Sequence, residues 1–120
     1  MSKGMDDRAQ EIQQQEVARF EDRTSRSKSL YERAERSMPF GVTSSFQVGD
    51  PYPIYLAEGS GSHVTDVDGN TYLDFRTCFG TMVVGHVHPE VRAAIEKAAA
   101  TGTHFAATTE TAVELAEEIK

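Results

Sequence analysis

The chain is 120 residues long, with 38% hydrophobic residues, 26% charged residues and one cysteine, Cys78. That length bounds it to one small domain at most, and it holds neither an apolar run long enough to span a bilayer nor an apolar stretch near Met1 that would read as a secretory signal. The net charge of −7 argues against nucleic acid, and the lone cysteine excludes an internal disulfide and makes a reduced, cytoplasmic setting the expectation.

The charge is unevenly placed. Residues 1–38 hold eight Lys/Arg and eight Asp/Glu, whereas residues 39–120 hold four and eleven. Residues 1–28 form a polar N-terminal extension. Its apolar residues, Ile12, Val17 and Phe20, are sparse, so it reads as a weakly amphipathic helix, a frayed one, or disorder. Ser29-Leu30-Tyr31-Glu32 matches a capping box and predicts a short helix with Leu30, Tyr31 and Ala34 on its inner face, stopped by Pro39. Gly41 to Pro53 is rich in Gly, Pro, Ser and Thr and reads as a loop.

Tyr52–Ala57 reads as a strand with a proline-bearing edge, and Gly59-Ser60-Gly61 as a turn. Ser62–Val67 and Thr71–Phe75 read as two strands around Asp68-Gly69-Asn70, because Asp-Gly supplies the positive φ angles of a tight hairpin. Three strands in an antiparallel meander are expected. Pro89 suits the first position of a helix, with Val91, Ile95 and Ala98 as its buried stripe and Gly102 as its stop. A last helix opens near Thr109 to Thr111, where Thr111-Ala112-Val113-Glu114 is a second capping-box match. Its inner face is Ala112, Leu115, Ala116 and Ile119, and it is still running at Lys120.

Several motifs weaken on inspection. His86-x-His88 with His104 lacks a third ligand at metal-site spacing, so no metal is assigned. His88 reads as a helix-entry residue and His86 as bonded to backbone. Asp66-Val67-Asp68-Gly69-Asn70 has its glycine too early for a calcium loop. Gly59-x-Gly61 precedes a strand rather than a helix, so no pyrophosphate site follows. Cys78 has no neighbouring base in sequence. Asp66, Asp68 and Asp74 suit hairpin and strand-edge positions.

The run Asp66-Val67-Asp68-Gly69-Asn70-Thr71-Tyr72-Leu73-Asp74, then Gly85-His86-Val87-His88-Pro89-Glu90-Val91, resembles the start of class III aminotransferases. Ser37-Met38-Pro39-Phe40-Gly41-Val42-Thr43-Ser44 is similar to the entry loop of the glutamate-1-semialdehyde 2,1-aminomutases. Thr103-His104-Phe105 through Thr109-Glu110 matches a further passage of that family. The resemblance covers residues 29–120. It implies an α/β fold, the N-terminal part of a fold-type-I pyridoxal-phosphate-dependent transferase: a helix, a three-stranded antiparallel meander and two helices. Residues 29–100 would be the N-terminal part of the small domain, and 101–120 the start of the large cofactor-binding domain.

The resemblance further implies a homodimer and a small amino-acid-like substrate. It implies pyridoxal 5'-phosphate bound as a Schiff base to a lysine. Lys3, Lys28, Lys97 and Lys120 stand in no matching context, so no catalytic and no cofactor-binding residue is assigned, and the 120 residues are not expected to catalyse by themselves. Ser44 and Phe79 match substrate contacts of the family. Gln47 stands where the aminomutases carry an arginine that pairs with the substrate carboxylate, which puts glutamate semialdehyde itself in doubt. Arg76 is a candidate for the replacement charge. The alternative from another class is a non-catalytic interaction or dimerisation fragment.

Overall fold

The computed structural model describes residues 3–120, with side chains described from Asp7 onward; Met1 and Ser2, part of the polar extension, lie outside the described residues. The chain forms two compact units, Met1–His86 and Val87–Lys120. Among the described residues no helix is long and apolar enough to cross a membrane.

The first unit opens with helix α1 (Lys3–Arg23) and helix α2 (Ser25–Ala34). Of the readings open for the extension, helix holds and disorder does not. The sparse apolar residues explain why: Val17 and Phe20 are half-buried while Ile12 stays exposed, and the Phe20 ring packs 5.1 Å from that of Tyr52. Thr24, between the helices, is buried. Its hydroxyl donates to the Phe20 carbonyl (2.6 Å) and lies 3.0 Å from the Tyr52 hydroxyl.

Helix α2 begins four residues before the expected cap. Ser29 sits inside it, with its hydroxyl bonded to the Ser25 carbonyl at 3.2 Å. The true cap comes from a distance. Asp68 accepts from the backbone N–H of Arg26 (2.7 Å) and of Ser27 (3.0 Å), and from the Ser27 hydroxyl (2.8 Å). These are the N–H groups a helix start leaves without partners. The expected inner face of α2 holds, since Leu30, Tyr31 and Ala34 are all half-buried. Buried Ser27 extends the same stripe.

The meander is present as strands β1 (Leu56–Ser60), β2 (His63–Asp66) and β3 (Thr71–Leu73), in spatial order β1-β2-β3 and antiparallel throughout. Strand β1 starts later and runs further than its sequence suggests. Pro51 and Pro53 bring no N–H to a ladder, so Tyr52–Tyr55 stays outside the strands; Tyr55 alone ties it down, its carbonyl accepting from Val67 N–H at 2.8 Å and its N–H donating to the Ser27 hydroxyl at 3.3 Å. Pairing of Ser60 with His63 then confines the turn to Gly61-Ser62, with Gly61 at φ +55°. A register shift between Leu56 and Glu58 places a bulge in β1.

The β2–β3 turn is held by Asp66, which is 2% exposed. Its carboxylate accepts from the N–H of Asp68 (3.0 Å) and Asn70 (2.8 Å), from Asn70 Nδ2, and from the Tyr72 hydroxyl (2.8 Å). Burial pushes this carboxyl up, but the Asn70, Tyr72 and Asp68 donors outweigh it and hold Asp66 below the usual range. The Tyr72 phenol moves the other way, to about 12, through burial and the Asp66 charge. Asn70 completes the seam by donating to the Arg23 carbonyl (2.8 Å) and accepting from Arg23 Nη2 (3.1 Å). Buried apolar side chains are few: Tyr52 and Val64 among the described residues.

The second unit contains α4 (Pro89–Ala99) and α5 (Glu110–Ile119); a single helical turn, α3 (Thr77–Gly80), precedes them in the first. Pro89 takes the first helical position of α4, as its chemistry predicts. Two expectations fail here. The cap of α5 is Thr109, whose hydroxyl accepts from Ala112 N–H, and Thr111 lies inside the helix. The two apolar stripes are not buried: Val91, Ile95, Leu115 and Ile119 are all exposed, because no described element covers them.

Replacing Asp68 by Ala removes an acceptor for two helix N–H groups and should lower stability by about 1 kcal/mol, with Asp68→Asn costing less. Urea unfolding followed by circular dichroism measures both. Burial pushes the Asp66 and Asp68 carboxyls up, but the N–H and O–H donors around them outweigh it and hold both below the usual carboxylate range. Their contribution is therefore complete above pH 4 and is lost as pH falls through their lower folded-state values. Acid titration should show unfolding on that side, and a smaller acid-dependent loss in Asp66→Asn.

Candidate functional site: an aspartate-anchored aromatic loop

The end of β3 carries the third aspartate of the hairpin motif. One Asp74 oxygen accepts from the backbone N–H of Arg76 and of Thr77, both at 2.9 Å. The other lies 2.8 Å from His86 Nε2. The His86 contact first, and then the Thr77 and Arg76 N–H groups, hold this carboxyl below its usual range. As an ionised carboxylate only accepts, Nε2 is the donor. The expectation that His86 bonds to backbone is therefore half right: its main chain exchanges two hydrogen bonds with Gly61 (2.8 and 2.9 Å), but its ring belongs to Asp74. The ring lies against Gly59, where a Cβ would come within 2.7 Å of His86 Cγ.

This anchor fixes the loop that follows. Thr77, Cys78 and Phe79 have φ of 42°, 48° and 57°, three consecutive non-glycine residues in the left-handed region. Such residues cost about 1–3 kcal/mol each and collect at functional sites. The segment is a turn rather than a strand. Cys78 is exposed.

The loop brings Phe79 edge-on to Phe46, with ring centroids 4.9 Å apart. The Arg76 guanidinium lies 5.7 Å from the Phe79 ring centre and 5.9 Å from that of Phe46. Phe46, Gln47 and Arg76 line an open concavity of about 810 Å³, together with Val42, Ile54 and Leu73. Gln47 is held in place by the turn that contains Ser44. Its Oε1 accepts from the Thr43 hydroxyl (2.7 Å) and Ser44 N–H (3.1 Å), and its own N–H donates to the Ser44 carbonyl (2.9 Å). Of the three candidate substrate residues, Gln47 therefore lines the concavity, Phe79 borders it through Phe46, and Ser44 is exposed on the adjoining turn. Phe46 was not singled out in the sequence. Its only signal there is a large apolar residue inside an otherwise polar turn.

The family model of the class-III aminotransferases matches residues 45–120. The chain belongs to that family. This class-III chain is 39% identical over 100 residues to a glutamate-1-semialdehyde 2,1-aminomutase of Methanopyrus kandleri, a match covering 83% of the chain and 23% of that relative. Among solved structures it resembles a transaminase with PLP bound (44% identity, TM-score 0.75, 78% of this chain and 22% of that one). It also resembles a glutamate-1-semialdehyde aminomutase from Pseudomonas aeruginosa PAO1 (29% identity, TM-score 0.79, 88% and 24%). The class-III chain thus spans about a quarter of the length of these relatives.

The described residues do not by themselves fit the phosphorylated pyridine cofactor. Lys28 is paired with Glu21 at 3.0 Å and lies over the Tyr52 ring, and Lys97 sits in the last turn of α4. Helices α4 and α5 open with Glu90 and Glu110, whose charges oppose a phosphate at those N-termini. Among the described residues no group of three or more His, Cys, Asp or Glu is placed to hold a metal.

Gly59→Ala should displace His86 and loosen Asp74 from it, because the new methyl would occupy the ring's position. In a proton NMR spectrum the His86 ring signals should then move, and adding Asp74→Asn should move them little further. A variant whose His86 ring signals are unchanged would contradict the packing argument.

Proposed function

We propose that this chain is the N-terminal segment of a pyridoxal-phosphate-dependent aminotransferase or aminomutase acting on an amino-acid-like small molecule. In this reading the Met1–His86 unit contributes a wall of the substrate cavity. The anchors of the cofactor are supplied by residues outside the 120, so the segment is not catalytic alone. The observation that carries the reading is the family match, taken with an Asp74-anchored loop that presents Arg76, and a Ser44 turn that presents Phe46 and Gln47, to one concavity. When bound, the cofactor supplies the electron sink for amino-group chemistry. Ser44, Gln47 and Phe79 bind and orient substrate and exclude water. A homodimer in a reduced, cytoplasmic setting goes with this reading.

A second reading is favoured by the exposed apolar faces of α4 and α5, where Ile95 is 63% and Ile119 78% exposed. Here the segment serves as an interaction or dimerisation piece, its helices covered by further protein.

The test is made on the full-length product of the reading frame. It should show the visible absorbance of lysine-bound pyridoxal phosphate. Borohydride reduction followed by peptide mapping should place the cofactor on a lysine other than Lys3, Lys28, Lys97 or Lys120. Full-length protein that takes up no cofactor would sink the first reading, and an adduct on one of those four lysines would sink its non-catalytic part.

A further inference from the structure

The imidazole of His86 is built into the sheet from the side away from the aromatic loop. Its main chain exchanges two hydrogen bonds with Gly61, and its ring lies in a slot left by Gly59. A Cβ at Gly59 would fall 2.7 Å from His86 Cγ, and one at Gly85 would fall 2.7 Å from the Gly61 carbonyl oxygen. The chain is thus shaped to admit this ring at this place. From there Nε2 reaches one Asp74 oxygen at 2.8 Å, with the two side chains only 23% and 13% exposed, so water competes little for the contact. The second Asp74 oxygen holds the N–H groups of Arg76 and Thr77.

A carboxylate turns easily about its last side-chain bond, because that torsion has no sharp minimum. Two N–H donors on a single oxygen leave its plane free to swing. A donor on the other oxygen fixes the plane, and a charge-assisted contact does so firmly. What lies beyond needs such a constraint. Thr77, Cys78 and Phe79 are all left-handed, and non-glycine residues stay there only when their surroundings over-determine them. That turn carries the Phe79 ring to its edge-on contact with Phe46, at an interplanar angle of 85°.

We infer that His86 is a positioning residue: acting through Asp74, it holds the Thr77–Phe79 turn in its left-handed form and so sets the Phe79 ring against Phe46. Its bearing on substrate rests on the proposed function, in which His86 steadies one wall of the cavity without touching what the cavity holds.

The experiment uses full-length protein with pyridoxal phosphate added and 4-fluorophenylalanine in place of Phe79, read by fluorine NMR. Phe46→Leu first marks where the resonance lies once the aromatic contact is gone. His86→Phe fills the slot over Gly59 but brings no donor, and should carry the resonance toward that mark. His86→Gln loses the ring but offers an amide N–H to Asp74, and should restore the larger part of the original position. Asp74→Ala should move the resonance at least as far as His86→Phe, and His86→Phe added to it should move it no further. Three results would overturn the inference: a resonance unmoved by His86→Phe, an equal displacement by His86→Phe and His86→Gln, or a full effect of His86→Phe that persists without Asp74. The second would mark His86 as a packing element of the sheet alone. If His86→Phe does not fold, Gly59→Ala, which pushes the intact histidine off Asp74, should move the resonance the same way, and an unmoved one rejects the role. Full-length protein that takes up no cofactor yet obeys these shifts would remove the proposed function and leave the positioning role. Cofactor-loaded protein whose resonance ignores His86 would do the reverse.

Discussion

A helix that starts without a capping side chain of its own must find acceptors for its first N–H groups elsewhere, and α2 finds them on a hairpin some forty residues away. Asp68 accepts from Arg26 and Ser27, while Asn70 exchanges hydrogen bonds with Arg23. Asp66, beneath them, holds the turn in the shape that brings Asp68 and Asn70 to the helix. Few apolar side chains are fully buried in the described chain, so this polar seam carries an unusual share of the task of joining helices to sheet. Each of its groups is satisfied, which is the condition under which buried polar networks specify one arrangement. Asp74 repeats the device at the other end of β3, where it grips the Arg76–Thr77 backbone and the His86 ring.

The motif Asp66-x-Asp68-Gly69-x-x-Tyr72-x-Asp74 therefore has a physical reading independent of family. Its first aspartate shapes the turn, its second caps a remote helix, its tyrosine donates to the first, and its third orients the loop that borders the concavity. None of the three carboxylates is spare for acid–base chemistry. What borders the concavity is an arginine near the Phe46 and Phe79 rings, beside a glutamine that staples the Ser44 turn.

Much of the fold was legible where the causes are local. Asp-Gly marks the hairpin, and Pro89 marks the start of α4, because one residue's backbone preference decides each. The cap of α2 was not legible, since Ser29 matched a local pattern while the real acceptor lies across the chain. The start of β1 was misplaced because Tyr52–Ile54 has strand-like residues but prolines that cannot join a ladder. The apolar stripes of α4 and α5 were rightly seen as faces, yet periodicity says nothing about what covers a face. In the site, Gln47 and Phe79 were readable only through family resemblance. Phe46 was missed because an exposed phenylalanine in a turn has no periodicity to betray it.

The span of the seam bears on how the first unit assembles. Arg23–Ser27 and Asp66–Asn70 are separated by some forty residues, and the segment between them includes two short turns, an extended proline-bearing stretch and strand β1. Closing a loop of that length costs entropy before any of its contacts form. The β2–β3 hairpin needs only its own turn and can form in microseconds, whereas α2 gains its cap only once that hairpin has come back to meet it. By loop length the hairpin closes first, the Asp74–His86 contact across twelve residues is the next cheapest, and capture of the helix junction costs most.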